Sequence, residues 1–155
     1  MRISKSVLGV LIALVSTNAW SDVKSGQEIG REAKSKAPHI SSQQLSGHLS
    51  GEEKFVLLDV RTESEYEAGH IQGARWLSRG KLEYSIQDLV TDPDSRIVLY
   101  CRTGGRSALA VLTLQDIGYT NVVDLEGGFR EWVSKGNTFY NLHGENRVVN
   151  YQKKE

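Results

Sequence analysis

The chain has 155 residues, 39% of them hydrophobic and 25% charged, which supports one domain with a core and leaves little room for a second. Its 19 basic and 19 acidic residues cancel, which excludes a general electrostatic attraction to nucleic acid or to an anionic membrane. The single cysteine excludes an internal disulfide.

Residues 1–21 have the layout of a secretory signal peptide. Arg2 and Lys5 precede an apolar stretch at 7–15, and the segment ends at Ser21, the predicted cleavage point. The apolar stretch is much shorter than the roughly 20 residues that span a bilayer, so we expect no stable membrane insertion after cleavage. The sequence therefore predicts an exported, periplasmic protein.

The remainder of the chain divides into three segments by composition. Residues 22–38 are polar and contain few large apolar side chains, a composition typical of a mobile leader, and the sequence assigns them no role. Residues 39–136 carry the regular apolar patterns of a folded domain. Residues 137–155 form a C-terminal extension, and its pattern leaves open whether it adds an edge strand or lies loosely on the surface.

Apolar runs and helical patterns alternate along this predicted domain. Four segments predict strands: 55–60, 74–77, 97–100 and 122–125. Five patterns predict helices: one capped by Ser41 or Ser42, one at 63–68 with the capping-box pair Thr62 and Glu65, one carrying Leu82 and Ile86, one after Gly105, and one carrying Phe129 and Trp132. The alternation predicts an α/β fold with a mostly parallel sheet and helices on both faces, whose ligands bind beyond the carboxyl ends of the strands.

One loop at such a strand end concentrates the reactive chemistry. The only cysteine, Cys101, follows a predicted strand and precedes a predicted helix, whose first amides lack intrahelical partners and favour an ionised thiol. Arg102 and Arg106 add two cations beside it. Gly104 and Gly105 let the chain turn with positive φ and gather backbone amides around an anion. The loop therefore predicts an exposed, anionic nucleophile.

A different interpretation of the same cysteine is a small buried hydrophobe, which is the commoner role of this residue type. The arginines and the glycine pair within the next five positions favour reactivity instead. Because no second cysteine is present to resolve a disulfide, a dithiol mechanism is excluded and a one-thiol reaction remains. His70 has no cluster of ligands at metal-binding spacing around it, so no metal site is predicted.

Further motifs surround this loop in a fixed order. They are Asp59-Val60-Arg61, Glu65-Tyr66 through Gly69-His70-Ile71 to Gly73-Ala74, the loop 101–106, and Leu125-Glu126-Gly127-Gly128-Phe129 followed by Trp132. With these motifs in this order over about residues 40–135, the chain resembles a single-domain rhodanese, a thiosulfate sulfurtransferase.

The resemblance implies a rhodanese-like, five-stranded parallel sheet between helices, and sulfur transfer through a persulfide on Cys101. The thiolate would attack the outer sulfur of thiosulfate and release sulfite, and cyanide or a thiol would later remove the sulfur. A protein acceptor is left open, and no metal or organic cofactor is required.

The resemblance also assigns roles to neighbouring residues. Asp59 and Arg61 would brace the cysteine loop, although an ion pair that closes the strand end is an equal alternative. Either of the two loop arginines could face the donor. The implied substrate-binding residues are Arg102, Thr103, Gly104, Gly105, Arg106 and Ser107.

Loop length separates this reaction from phosphate chemistry. Phosphatase-like sites of related folds need an arginine six positions after the cysteine, but Ser107 occupies that position and Arg106 comes one residue early. Phosphatase activity is therefore disfavoured. Two alternatives remain: a non-catalytic persulfide carrier, and a protein-binding module that uses residues 137–155 as its surface.

Overall fold

Helices and strands alternate along residues 23–148, the part of the chain that a computed structural model describes. The predicted signal peptide lies outside these residues. The helices are α1 (Gly26–Lys36), α2 (Ser42–Ser50), α3 (Glu63–Ala68), α4 (Leu82–Leu89), α5 (Gly105–Asp116) and α6 (Gly128–Ser134), with a 3-10 turn at Arg79–Lys81. The strands are β1 (His39–Ile40), β2 (Val56–Asp59), β3 (Arg75–Trp76), β4 (Ile97–Tyr100), β5 (Val122–Leu125), β6 (Phe139–Asn141) and β7 (Gly144–Asn146). Within this range no helix is long and apolar enough to cross a bilayer.

Five strands form one parallel sheet in the order β1-β5-β4-β2-β3. This confirms the predicted fold class, and β4 lies at the centre of the sheet. The pairing of Asp59 with Tyr100 and of Leu99 with Asp124 brings the carboxyl ends of β2, β4 and β5 to one edge. Strand β1 at one edge of this sheet has only two residues and gives no apolar run, so the sequence pattern predicted only the other four strands.

The core has two layers, one on each face of the sheet. On one face, Leu58, Ile97 and Leu99 pack under α4 and α5. On the other face, Val98 and Tyr100 pack with residues of α2 and α6. Successive residues of a strand point to opposite faces, so Cys101 continues the row of Ile97 and Leu99 on the α5 side.

Local capping signals fix the helix that follows β2. Thr62 and Glu65 form a capping box at the start of α3, and the helix ends before Gly69, as the spacing predicts. Ser41 caps α2 in the same way with Gln44. These ends were predictable because the residues that make them are three positions apart.

The segment 22–38 differs from the predicted mobile leader. Most of it is α1, which starts with a capping box between Ser25 and Glu28 and buries Ala33 and Ala37 against the core. The helix lies along α5, where the Cα of Gly105 would be 3.5 Å from a Cβ placed on Gly30. Small residues make this contact, so the segment lacks the large apolar side chains by which a packed helix is usually detected.

The C-terminal extension forms a hairpin of β6 and β7 rather than a sixth strand of the main sheet. Backbone hydrogen bonds in both directions between His70 and Tyr140 attach the hairpin to the turn after α3. Phe139 packs edge-on against Phe129 of α6. Residues 137–148 therefore cover the end of the domain beside α3 and α6.

Candidate active site

Cys101 lies immediately beyond the central strand, at the edge where the strands end. Its side chain is only 1% exposed, so the prediction of an exposed thiol is corrected. The reason is the alternation of β4, which turns Cys101 toward the core face beneath α5. The thiol nevertheless borders a cavity of about 480 Å³, so a small reagent can reach it from that cavity.

The loop after Cys101 is built around one glycine in the left-handed region. Gly104 has a φ of +92° and is the N-cap of α5, and its amide donates a hydrogen bond of 3.2 Å to the sulfur of Cys101. Gly105 is not among the glycines of positive φ and instead begins the helix. The two glycines therefore have different roles: Gly104 makes the turn, and Gly105 permits the close approach of α1.

The cavity at Cys101 has two walls. The loop and α5 contribute Thr103, Gly105, Arg106 and Leu109. The other wall is entirely α1, with Gly26, Gln27, Gly30, Arg31 and Lys34. The predicted leader is thus part of the site, and the only sequence signal that could have revealed it is the Ser25–Glu28 spacing of a capping box.

The two loop arginines face different spaces. Arg106 lines the cavity of Cys101, whereas Arg102 lines a neighbouring cavity with Phe129 and Phe139. Arg106 donates two hydrogen bonds of 3.0 Å to the carboxylate of Glu65. This pairing holds the pKa of Glu65 at about 2 and raises the pKa of Arg106, to which the nearby Cys101 adds a smaller contribution. Sequence reasoning assigned Glu65 only its cap and missed this long-range pair.

Ser107 and Thr103 are also separated. Thr103 borders the cavity and its carbonyl accepts a hydrogen bond from Nζ of Lys34. Ser107 is fully buried within α5, and its hydroxyl has no hydrogen-bond partner among residues 23–148. The side chain of Ser107 is therefore not part of the cavity wall, and the position where a phosphatase-type loop would carry its arginine faces the interior.

The first turn of α6 supports the cysteine loop from behind. The amide of Phe129 donates to the carbonyl of Cys101 at 2.8 Å, and the amide of Arg130 donates to the carbonyl of Arg102 at 3.0 Å. Gly128 has a φ of +60°, and a Cβ there would lie 2.5 Å from the Cys101 carbonyl oxygen. Only glycine fits this approach, so the Gly127-Gly128 turn belongs to the site as a structural support.

Asp59 and Arg61 form a buried ion pair at the end of β2. The Arg61 guanidinium donates to both carboxylate oxygens, with a shortest contact of 2.6 Å, and also to the carbonyl of Gly69. It lies over the ring of Phe129 at 4.2 Å. Burial alone would lower the pKa of Arg61, but its bonds to Asp59 raise it on balance. The pair closes the end of β2, and the guanidinium also lies 5.6 Å from the ring centroid of Tyr100, the residue before Cys101.

Asp124 is a site residue that the sequence analysis missed. It lies on β5 beneath the loop and is 3% exposed, and its Oδ1 has no hydrogen-bond partner within the described range. Burial raises its pKa to about 7, and the positive charge of Lys34 offsets part of the effect. It went unnoticed because a single acid inside an apolar run gives no motif.

Similarity to known proteins identifies the family of this chain. Residues 41–135 match the rhodanese-like domain. The chain belongs to the rhodanese-like family. A sulfurtransferase of Allochromatium vinosum is 35% identical over 97 residues, which cover 63% of this chain and 89% of that protein. The uncharacterized protein YqhL of Bacillus subtilis is 35% identical over 105 residues, covering 64% of this chain and 82% of its own length.

A solved structure with the same fold has been described differently. The Rhodopseudomonas palustris protein RPA3614, described as a protein of unknown function and possible tyrosine phosphatase, is 32% identical with a TM-score of 0.66, covering 74% of this chain and 92% of that one. The match of this chain to the rhodanese-like domain and to a sulfurtransferase supports sulfur transfer as its general chemistry. Within residues 23–148, no three His, Cys, Asp or Glu side chains gather as metal ligands would.

Proposed function

We propose that this rhodanese-like protein is an exported thiosulfate sulfurtransferase that uses Cys101 as its nucleophile and sulfur carrier. The observation that carries the proposal is the position of the Cys101 sulfur, which accepts an amide hydrogen bond and borders a cavity with three basic side chains. Such a cavity attracts an anion to a nucleophile that is itself stabilised as an anion.

The reaction proceeds in two balanced steps. In the first, the Cys101 thiolate attacks the outer sulfur of thiosulfate, a new sulfur–sulfur bond forms, and sulfite leaves with the electron pair of the old bond. In the second, cyanide or a thiolate attacks the outer sulfur of the persulfide and Cys101 leaves as the thiolate. No external oxidant or reductant enters either step. The amide of Gly104 and the free amides of the first turn of α5 stabilise the persulfide anion.

Burial of the thiol favours a small sulfur donor. A sulfur that is 1% exposed and borders a cavity of about 480 Å³ is accessible to a molecule that enters the cavity, and thiosulfate is well within that volume. The placement in the periplasm is supported by the charged, apolar and small-residue regions of residues 1–21.

Intact mass measurement tests the first step. After incubation with thiosulfate, the protein is expected to gain the mass of one sulfur atom, and Cys101→Ser is expected to gain nothing. Absence of the gain in the wild-type protein would reject the nucleophilic role of Cys101 toward thiosulfate.

Turnover separates an enzyme from a persulfide carrier. With thiosulfate and cyanide together, an enzyme forms thiocyanate continuously, whereas a carrier yields at most one equivalent per chain. A single equivalent would replace the enzyme assignment with the carrier alternative. Loss of partner binding on removal of residues 137–155, with no sulfur loading, would instead favour the binding module.

A further inference from the structure

The cations that surround Cys101 are not equivalent. Arg106 is bound in a two-pronged ion pair by Glu65, so its charge is largely compensated before any ligand arrives. Lys34 binds the carbonyl of Thr103, a neutral group, and makes no ion pair within residues 23–148, although its charge also acts on the buried Asp124. Arg31 is exposed at the cavity and makes no ion pair within residues 23–148.

The two cavity cations that make no ion pair within the described residues therefore lie on α1. Arg31 and Lys34 are three positions apart, so they project from one side of the helix, and both border the cavity that contains Cys101. A cation that borders a partly enclosed cavity raises the local concentration of anions and orients them, and this effect is strongest when no carboxylate neutralises it.

The helix is also fixed relative to the nucleophile. Gly30 meets Gly105 at the first residue of α5, and Ala33 and Ala37 are buried in the core beside it. The bond from Lys34 to Thr103 ties the helix to the cysteine loop itself. These contacts fix α1 relative to Cys101, which keeps Arg31 and Lys34 at a defined distance from the thiol.

We propose that Arg31 and Lys34 are the residues that bind the anionic group of the sulfur donor, so that α1 determines the charge specificity of the site. This inference rests on the proposed sulfur-transfer function. It assigns substrate recognition to a helix outside residues 41–135, the range that matches the rhodanese-like domain, and it gives Arg106 the lesser part. The ligand class is a small molecule with an oxyanion beside its reactive sulfur, which enters with the oxyanion toward α1.

Alkylation by two reagents of similar size tests this assignment without sulfur transfer. Iodoacetate is an anion and iodoacetamide is neutral, and both alkylate a thiol by displacing iodide. The rate with iodoacetate divided by the rate with iodoacetamide therefore reports the charge that an anion meets at Cys101. Arg31→Gln is expected to lower this ratio about three- to ten-fold, and Arg31→Glu to lower it further.

The matched control is Lys36→Gln, which removes one positive charge from the same helix at an exposed position that does not border the cavity. Its ratio is expected to stay within a factor of about two of the wild-type value, because solvent screens the more distant charge. Added salt should lower the wild-type ratio, and it should lower the Arg31→Gln ratio less, because Lys34 remains at the cavity. Equal ratios in Arg31→Gln and the wild type, or an equal fall in Lys36→Gln, would overturn the proposal.

Lys34→Gln provides a second measurement, because it also removes the contact with Thr103. If Lys34 binds the anion, Lys34→Arg restores the ratio, whereas a loss in both variants contradicts that role. For thiosulfate, Arg31→Gln is expected to raise KM several-fold with little change in kcat. If the wild-type protein takes up no sulfur but the iodoacetate-to-iodoacetamide ratio still falls in Arg31→Gln, the sulfurtransferase function is rejected and the anion-binding role of α1 is retained.

Discussion

The two sides of the cysteine loop use positive charge in opposite ways. On the α6 side, Arg61 is 4% exposed, paired with Asp59 and stacked on Phe129. On the α1 side, Arg31 and Lys34 border a cavity and have no carboxylate bonded to them among the described residues. A paired and buried cation can hold the backbone in place, and an unpaired cation at a cavity remains available to a ligand. The guanidinium of an arginine thus has a structural or a recognition role according to what already surrounds it.

The largest test of this contrast is loss of the buried pair. Arg61→Met leaves the Asp59 carboxylate without its partner in the core, and the free energy of unfolding is expected to fall by about 3–5 kcal/mol. Urea denaturation measures the change. The double variant Asp59→Asn/Arg61→Met should lose less, because no charge is left unpaired. Equal losses in the single and the double variant would contradict the structural role of the pair.

The second test concerns the buried acid behind α1. The pKa of Asp124 is about 7 in the folded protein, against an ordinary value near 4, so the folded protein binds this proton more tightly than the unfolded chain does. The contribution of the proton to the free energy of unfolding is therefore present in acid and is lost as the pH rises through 7. Between pH 5 and pH 8 the free energy of unfolding of Asp124→Asn should therefore increase relative to the wild type by about 3 kcal/mol. Urea denaturation at both pH values measures this difference, and a difference independent of pH would show that Asp124 titrates normally.

The third test compares two glycines with similar backbone angles. Gly128 has a φ of +60° and would place a Cβ against the Cys101 carbonyl, whereas Gly73 has a φ of +75° and open space around it. Ala at either position carries the strain of positive φ, but only Gly128→Ala also displaces the cysteine loop. We expect Gly128→Ala to lose about 2 kcal/mol more than Gly73→Ala and to slow alkylation of Cys101. Equal losses would show that the close approach is relaxed easily.

The smallest expected change converts a paired arginine into a free one. Glu65→Gln keeps a side chain that can complete the capping box of α3 but removes the charge that binds Arg106. The loss in unfolding free energy should be about 0.5–1 kcal/mol at pH 7, because the pair is partly exposed. Since the pKa of Glu65 is lowered to about 2, this loss should disappear as the pH falls through that value. The iodoacetate-to-iodoacetamide ratio should rise in this variant, and an unchanged ratio would place Arg106 outside the reach of the ligand.

The sequence revealed features made by neighbouring residues and missed those made by distant ones. Helix α3 has its predicted ends, and the predicted loop after Cys101 lies at a strand end, because caps and glycine turns are local. The Glu65–Arg106 pair joins residues 41 positions apart, and no pattern in one sequence encodes that distance. Helix α1 escaped detection because it packs through Gly30, Ala33 and Ala37, which give little hydrophobic periodicity. The burial of the Cys101 thiol was missed because the sequence does not show toward which face of β4 its side chain points.

The strands at the two borders of the main sheet, β1 and β3, have two residues each, while the three between them have four. A neighbouring molecule that tried to extend the sheet would find only a couple of backbone groups to bond at either border. Short edge strands of this kind discourage the edge-to-edge pairing of sheets that leads to aggregates. The chain can therefore carry a central strand of four buried residues, Ile97–Tyr100, without offering it to other copies of itself.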